Sequence, residues 1–289
     1  DGHITVSIQA GNTLSYSVQR DDVALLAPSG ISLTLSDGTV WGPGTSFTKA
    51  LRRSVDQLAD APIFKRSTVR DHYNELTLKS KAFDLVFRAY DDGIAWRFVP
   101  AAPVDVLAEE AAFCFPEDWQ AYIPYVSQHT ETLETQYINS FESQYDHHAL
   151  SAWNKDRLAF LPITVEAPQG IKLCILESDV YDYPGMFLYN GDGGSTLKGR
   201  FAPVPERFEP RESPNYQQIP TSRKGIIAEQ AAVLPWRAVQ IALEDKELAQ
   251  SDLVWRLASP QAPGDWSWVT PGKVAWDWWN AWNIYGVPF

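Results

Sequence analysis

The sequence predicts an all-β protein built as a large antiparallel sandwich, and three observations carry that prediction. Apolar residues alternate with polar ones at period two through the first hundred residues. Hairpin-type turns separate the alternating runs, and helical periodicity is sparse. One-sided alternation means strands with one face on a core and the other toward water, which favours antiparallel sheets over a parallel α/β sheet.

The elements follow in order. Ile4, Val6 and Ile8 share one face, as do Leu14, Tyr16 and Val18, with Gly11-Asn12 as the turn between them. Ile31, Leu33 and Leu35 repeat the pattern and stop at Asp37-Gly38. Phe83, Leu85 and Phe87 are expected to pair with Ile94, Trp96 and Phe98 across Asp91-Asp92-Gly93. Residues 190–220, with GDGG and five prolines, read as an irregular surface excursion. The best helical segment runs from Asp245 to Leu257, with Leu248, Leu253 and Leu257 on one face. Beyond the break at Gln261-Ala262-Pro263-Gly264 come six tryptophans in 24 residues. So much aromatic surface at a terminus reads as the start of a second domain; the expected boundaries are 1–262 for the sandwich and 263–289 for a linker plus the first strand of that domain.

Composition narrows the function. The 289 residues carry 24 Lys+Arg against 36 Asp+Glu, a formal net charge of −12, which repels phosphate backbones and anionic lipid. No apolar stretch reaches the ~18 residues of a membrane span. Two cysteines, Cys114 and Cys174, sit in apolar strings and read as inert core thiols. His147 and His148 are neighbours on an expected strand, so they face opposite ways and do not share a metal. No phosphate loop, dinucleotide fingerprint, HExxH, CxxC or GxSxG motif is present.

The informative strings place carboxylates beside tyrosines: TETLETQY (130–137), SFESQYDHH (140–148) and LESDVYDYPGM (176–186). Aromatic faces stack on the apolar face of a pyranose, while carboxylates accept hydroxyl hydrogen bonds or hold hard cations. The alternative for each string is a solvated β surface. Unaided, the residues indicate a β-sandwich suited to carbohydrate.

Several strings resemble glycoside hydrolase family 97: RDHYNELTL (70–78), DDG-x-x-WRF (91–98), ESDVYDYPGM (177–186), LPWR (234–237) and PGKVAWDWWN (271–280). The resemblance implies an N-terminal β-supersandwich similar to galactose mutarotase, followed by a catalytic (β/α)8 barrel of which this chain carries only the beginning. It implies calcium as cofactor, a substrate of terminal α-galactosides or α-glucosides, and a periplasmic or secreted location. AWDWWN is more similar to the retaining branch, α-galactosidase-like. The family's catalytic carboxylates lie on later barrel strands with no counterpart here, so the chain alone is expected to be inactive and to pack on the missing barrel. By the same resemblance Glu142 is a calcium ligand, Glu177 is a second metal candidate, and Asp277, Trp279 and Asn280 lie where a barrel strand meets substrate. Arg70, His72, Asn74 and Glu75 read as structural or interface residues alternating with Asp71, Tyr73 and Leu76.

Two other readings compete. A stand-alone carbohydrate-binding module predicts sugar binding lost on changing Trp278 or Trp279. A mutarotase-type epimerase needs a general acid and base, usually including histidine; His72 and His129 are present, but no matching motif surrounds them.

Overall fold

In the computed structural model, residues 2–61, 64–126, 132–138, 143–210, 218–260, 264–270 and 272–273 are described. Two antiparallel sheets face each other. The smaller has eight strands, running Ile4–Ala10, Leu14–Arg20, Val23–Leu35, Val104–Cys114, Thr196–Phe201 and Met186–Tyr189 in spatial order. Val40–Trp41 joins the third of these and Ala228–Ala231 the fourth. The larger has nine strands, in the order Asp146–Ala149, Gln120–Ile123, Ile163–Glu166, Lys172–Ser178, Trp236–Ala242, Gly93–Pro100, Phe83–Tyr90, Thr68–Lys79 and Lys49–Asp60.

The expected alternation places the core. Tyr16, Val18, Ile31, Leu33, Val106 and Phe113 from the small sheet meet Leu85, Phe87, Ile94, Trp96, Phe98 and Val239 from the large one in a single apolar cluster. Tyr16 lies 6.0 Å from the Phe87 ring and 6.1 Å from that of Trp96, and its hydroxyl donates to the Ala112 carbonyl at 3.2 Å. Phe87 pairs with Trp96, and Leu85 with Phe98, across the expected turn. Each such side chain contributes ~1.5–3 kcal/mol on burial.

Two segments depart from expectation. Within residues 190–220, Thr196–Phe201 is a strand of the small sheet, and Pro205–Pro210 pairs with Gln218–Arg223 as a separate ribbon. Prolines are tolerated there because a two-stranded ribbon leaves one edge of each strand unpaired. The expected helix over Asp245–Leu257 is two short helices, Asp245–Gln250 and Leu253–Leu257. Ser251 breaks it: the Ser251 hydroxyl donates to Asp92 at 3.0 Å and accepts the Leu253 N–H at 3.1 Å, competing with the helical ladder.

Both helices cover the outer face of the large sheet, where Leu253 and Leu257 bury a second cluster with Tyr73, Tyr90, Ala95, Trp236 and Ala238. Among the described residues no helix is long and apolar enough to cross a membrane. Both cysteines are free thiols, Cys174 buried and Cys114 half-buried. His147 and His148 point opposite ways, stacking on Tyr122 and Tyr125 respectively.

Candidate functional site: a polar network joining the motif strings

Four of the five strings behind the family resemblance lie among the described residues, and their side chains meet. On the outer face of the large sheet, register sets Arg53 opposite Glu75 and Glu75 opposite Arg88. Glu75 accepts from Arg53 at 2.7 and 2.9 Å and from Arg88 at 2.9 Å. Burial alone would raise the Glu75 carboxyl, but the two guanidiniums outweigh it and hold the group below the ordinary glutamate range. Arg88 lies 4.3 Å from the Tyr73 ring and 4.7 Å from that of Trp236; Arg97 lies 4.3 Å from Trp236. The LPWR tryptophan is therefore flanked by two cations, a favourable use of its ring electrons.

Arg97 donates to Asp179 at 3.3 Å, and Asp179 also accepts the Ser259 N–H at 2.6 Å and hydroxyl at 2.8 Å. Asp92, from the same hairpin string as Arg97, binds Arg256. Lys65 and Arg66 reach Asp252 at 3.0 and 2.9 Å. The segment up to Ser259 is thus pinned to the outer face from three directions.

Glu177 sits on the opposite side of the same sheet. Its carboxylate accepts from Arg237 Nη1 at 2.6 Å and from the Met186 N–H at 3.1 Å. Arg237 in turn forks onto Glu109 of the small sheet at 2.8 and 2.7 Å, and Tyr183 donates to Glu109 at 2.7 Å. Burial pushes the Glu177 carboxyl above its ordinary value, with Arg237 opposing. A cation at Glu177 would have to sit beside the buried Arg237 guanidinium, so the ion pair fits this residue better than a calcium site does. No group of three or more His, Cys, Asp or Glu among the described residues is arranged to hold a metal ion. Glu142, Asp277, Trp279 and Asn280 lie outside the described residues.

The polar set of the first string divides by face. Arg70 pairs with Asp56 at 2.7 Å, His72 with Asp91 at 2.9 Å and Asn74 with Ser54 at 2.5 Å, while Glu75 belongs with Asp71 and Tyr73 on the outer side. Sequence reasoning did not single out Arg88, Arg97, Glu109 or Arg237 as individual residues. Arg97 and Arg237 stood within quoted strings; Arg88 and Glu109 carry no local signal, and only strand register brings them in.

Comparison with known proteins agrees with this convergence. Residues 1–260 match the family model described as Glycosyl-hydrolase 97 N-terminal. A retaining alpha-galactosidase of Bacteroides thetaiotaomicron is 40% identical over 295 aligned positions, covering 100% of this chain and 45% of that protein. The structure of a family 97 enzyme from Pseudoalteromonas sp. strain K8, in complex with acarbose, superposes with a TM-score of 0.73 at 22% identity, covering 94% of this chain and 39% of that one. A beta-arabinopyranosidase structure superposes at 0.58 with 19% identity, covering 83% and 38%. The chain spans less than half the length of each of these proteins. It belongs to glycoside hydrolase family 97, whose N-terminal domain accounts for its two-sheet sandwich and for the strings that meet on it.

Proposed function

We propose that the chain is the N-terminal portion of an exported, calcium-dependent α-glycosidase that removes terminal α-galactose residues with retention. The observation that carries this reading is the 40% identity, over the whole chain, to a retaining alpha-galactosidase. Retention requires two carboxyl groups ~5–5.5 Å apart, one attacking the anomeric carbon and the other protonating the leaving oxygen before activating water. In this proposal both come from a barrel beyond this chain. The sandwich contributes a rigid base, Glu142 as one oxygen donor among the ~6–8 that calcium takes, and Asp277, Trp279 and Asn280 toward the sugar. Calcium would supply charge to orient hydroxyl and carboxyl groups. The pinned exit at Ser259 supports this role, because it fixes where the continuing chain leaves the sandwich.

The test is hydrolysis of nitrophenyl α-galactoside and α-glucoside by the longer parent protein and by this 289-residue chain, with and without chelator. Expected are galactoside turnover by the parent, loss with chelator, weakened calcium affinity in Glu142→Gln, and no turnover by the chain alone. Preference for glucoside would overturn the substrate assignment, and indifference to chelator would overturn the calcium assignment. Turnover by the chain alone would overturn the dependence on a barrel.

A further inference from the structure

Two buried polar atoms without partners line one cavity on the outer face of the large sheet. Asp71 is 8% exposed. Its Oδ2 accepts a long hydrogen bond from Gln57 at 3.4 Å, while Oδ1 is buried and unbonded. Arg256 commits Nη2 to both oxygens of Asp92, at 2.5 and 2.6 Å, and its Nε is likewise buried and unbonded. Both residues line a cavity of about 570 Å³ together with Gln57, Trp255, Ser259 and Pro260. Trp255 is half-buried and stacks on Phe64 at 5.7 Å, which holds its ring in place.

An unmade hydrogen bond at a buried group is costly, and folded proteins leave few of them. An acceptor and a donor left open in one cavity therefore specify the missing partner. An ammonium group would satisfy Asp71 but meet the positive Arg256. An anion would satisfy Arg256 but meet Asp71 and the neighbouring Asp60, which also lines the cavity. A hydroxyl both donates and accepts, and carries no charge to be repelled. The aromatic wall suits the apolar face of a sugar ring, and the volume falls within the ~300–1,000 Å³ range of small-molecule sites.

We propose that this cavity is a saccharide-binding pocket in which Asp71 Oδ1 accepts from, and Arg256 Nε donates to, hydroxyls of a neutral sugar held against Trp255. The site stands independently of the hydrolytic reading, since every residue in it belongs to the sandwich and its two helices. Its failure and the failure of that reading are separate results.

The 289-residue chain is titrated with methyl α-galactopyranoside and with maltose by calorimetry and saturation-transfer NMR. Saturable binding is expected, with a dissociation constant of ~1–10 mM, an ordinary strength for a small neutral ligand. Asp71→Ala and Trp255→Ala should each weaken it at least ~10-fold. Tyr122→Ala, at the exposed Tyr122–His147 stack 4.1 Å apart, should leave it unchanged. Thermal melts show which variants fold; should Asp71→Ala fail, Asp71→Asn keeps the shape and removes the charge, and a several-fold loss is expected. Absence of saturable binding to the folded chain overturns the proposal, as does equal binding by the Asp71 and Trp255 variants. A sugar-soaked crystal showing only ordered water in the cavity overturns it as well.

Discussion

Arg237 crosses the sandwich to Glu109, with Nε and Nη2 donating to the two carboxylate oxygens at 2.8 and 2.7 Å. The two residues are 128 positions apart and belong to opposite sheets. The Arg237 side chain is 1% exposed and that of Glu109 4%. A pair so buried is held by geometry: its Coulomb gain roughly repays the cost of leaving water, but either charge left alone has no compensation.

Arg237→Ala should therefore destabilise the chain by ~3–5 kcal/mol, because it strands both Glu109 and Glu177. Arg237→Lys should recover only part of the loss, since an ammonium cannot make the two parallel hydrogen bonds of the guanidinium fork. Urea unfolding followed by fluorescence checks both. A loss under ~1 kcal/mol for the alanine variant would mean that the pair is not built as described.

Glu75 and Asp71 lie on one strand face and should respond to pH with opposite sign. Folding lowers the Glu75 carboxyl through Arg53 and Arg88. Its stabilisation is present above the unfolded value of ~4.3 and is lost as pH falls through the folded one. Glu75→Gln should thus be destabilised at pH 7, with the gap to the parent closing toward pH 3. Folding raises the Asp71 carboxyl, chiefly through burial, with Arg88 opposing. Its ionised form then works against folding above the unfolded value of ~3.9. Asp71→Asn should melt higher than the parent at neutral pH, and that advantage should fade on acidification. Melting curves from pH 3 to 8 would show both trends, and parallel profiles for the two variants would contradict them.

How much of this was legible in the sequence depends on the range of each signal. Ile4 to Leu35 and Phe83 to Phe98 announce strands because period-two alternation is local and a one-residue slip would invert it. The break at Ser251 was hidden, since it depends on Asp92, 159 residues earlier. Arg88 looks like any strand arginine until register sets it beside Glu75. Glu109 sits in an alanine-rich strand and gains its role only when the two sheets stack. Family resemblance pointed at ESDVYDYPGM, yet residue types alone did not separate a metal ligand from an ion-pair partner at Glu177. The Arg237 guanidinium makes that distinction, and it comes from a strand 60 positions away.

Gly93, in the turn between two large-sheet strands, has no room for a side chain. A Cβ there would lie 2.6 Å from the Val239 carbonyl oxygen and 2.8 Å from Leu253 Cδ2. Gly93→Ala should cost ~1–3 kcal/mol by forcing the adjacent strand or the second helix outward. Gly11 has nothing within 4 Å of its Cβ position, so Gly11→Ala should stay within ~0.5 kcal/mol of the parent. Equal melting temperatures for the two variants would show that the close approach at Gly93 is not maintained in solution.

Asp179 ties the outgoing chain to the sheet, and its removal should loosen that end selectively. It accepts twice from Ser259 and once from Arg97. The core cluster holding Leu85, Trp96 and Phe113 lies between the sheets, whereas Asp179 and Ser259 meet on the outer face. Asp179→Ala should therefore cost ~1–3 kcal/mol through the donors left unpaired at Arg97 and Ser259. Amide exchange in Leu253–Leu257 and at Ser259 should accelerate, because local opening there no longer has to break the aspartate bonds. Exchange in Leu14–Arg20 and Phe83–Tyr90 should change only by the global loss of stability. Uniform acceleration across all four regions would show that Asp179 acts on the whole sandwich rather than on its exit. With the exit freed, the longer parent should lose the fixed take-off of its next domain while the sandwich remains folded, and proteolysis near Ser259 would report that directly.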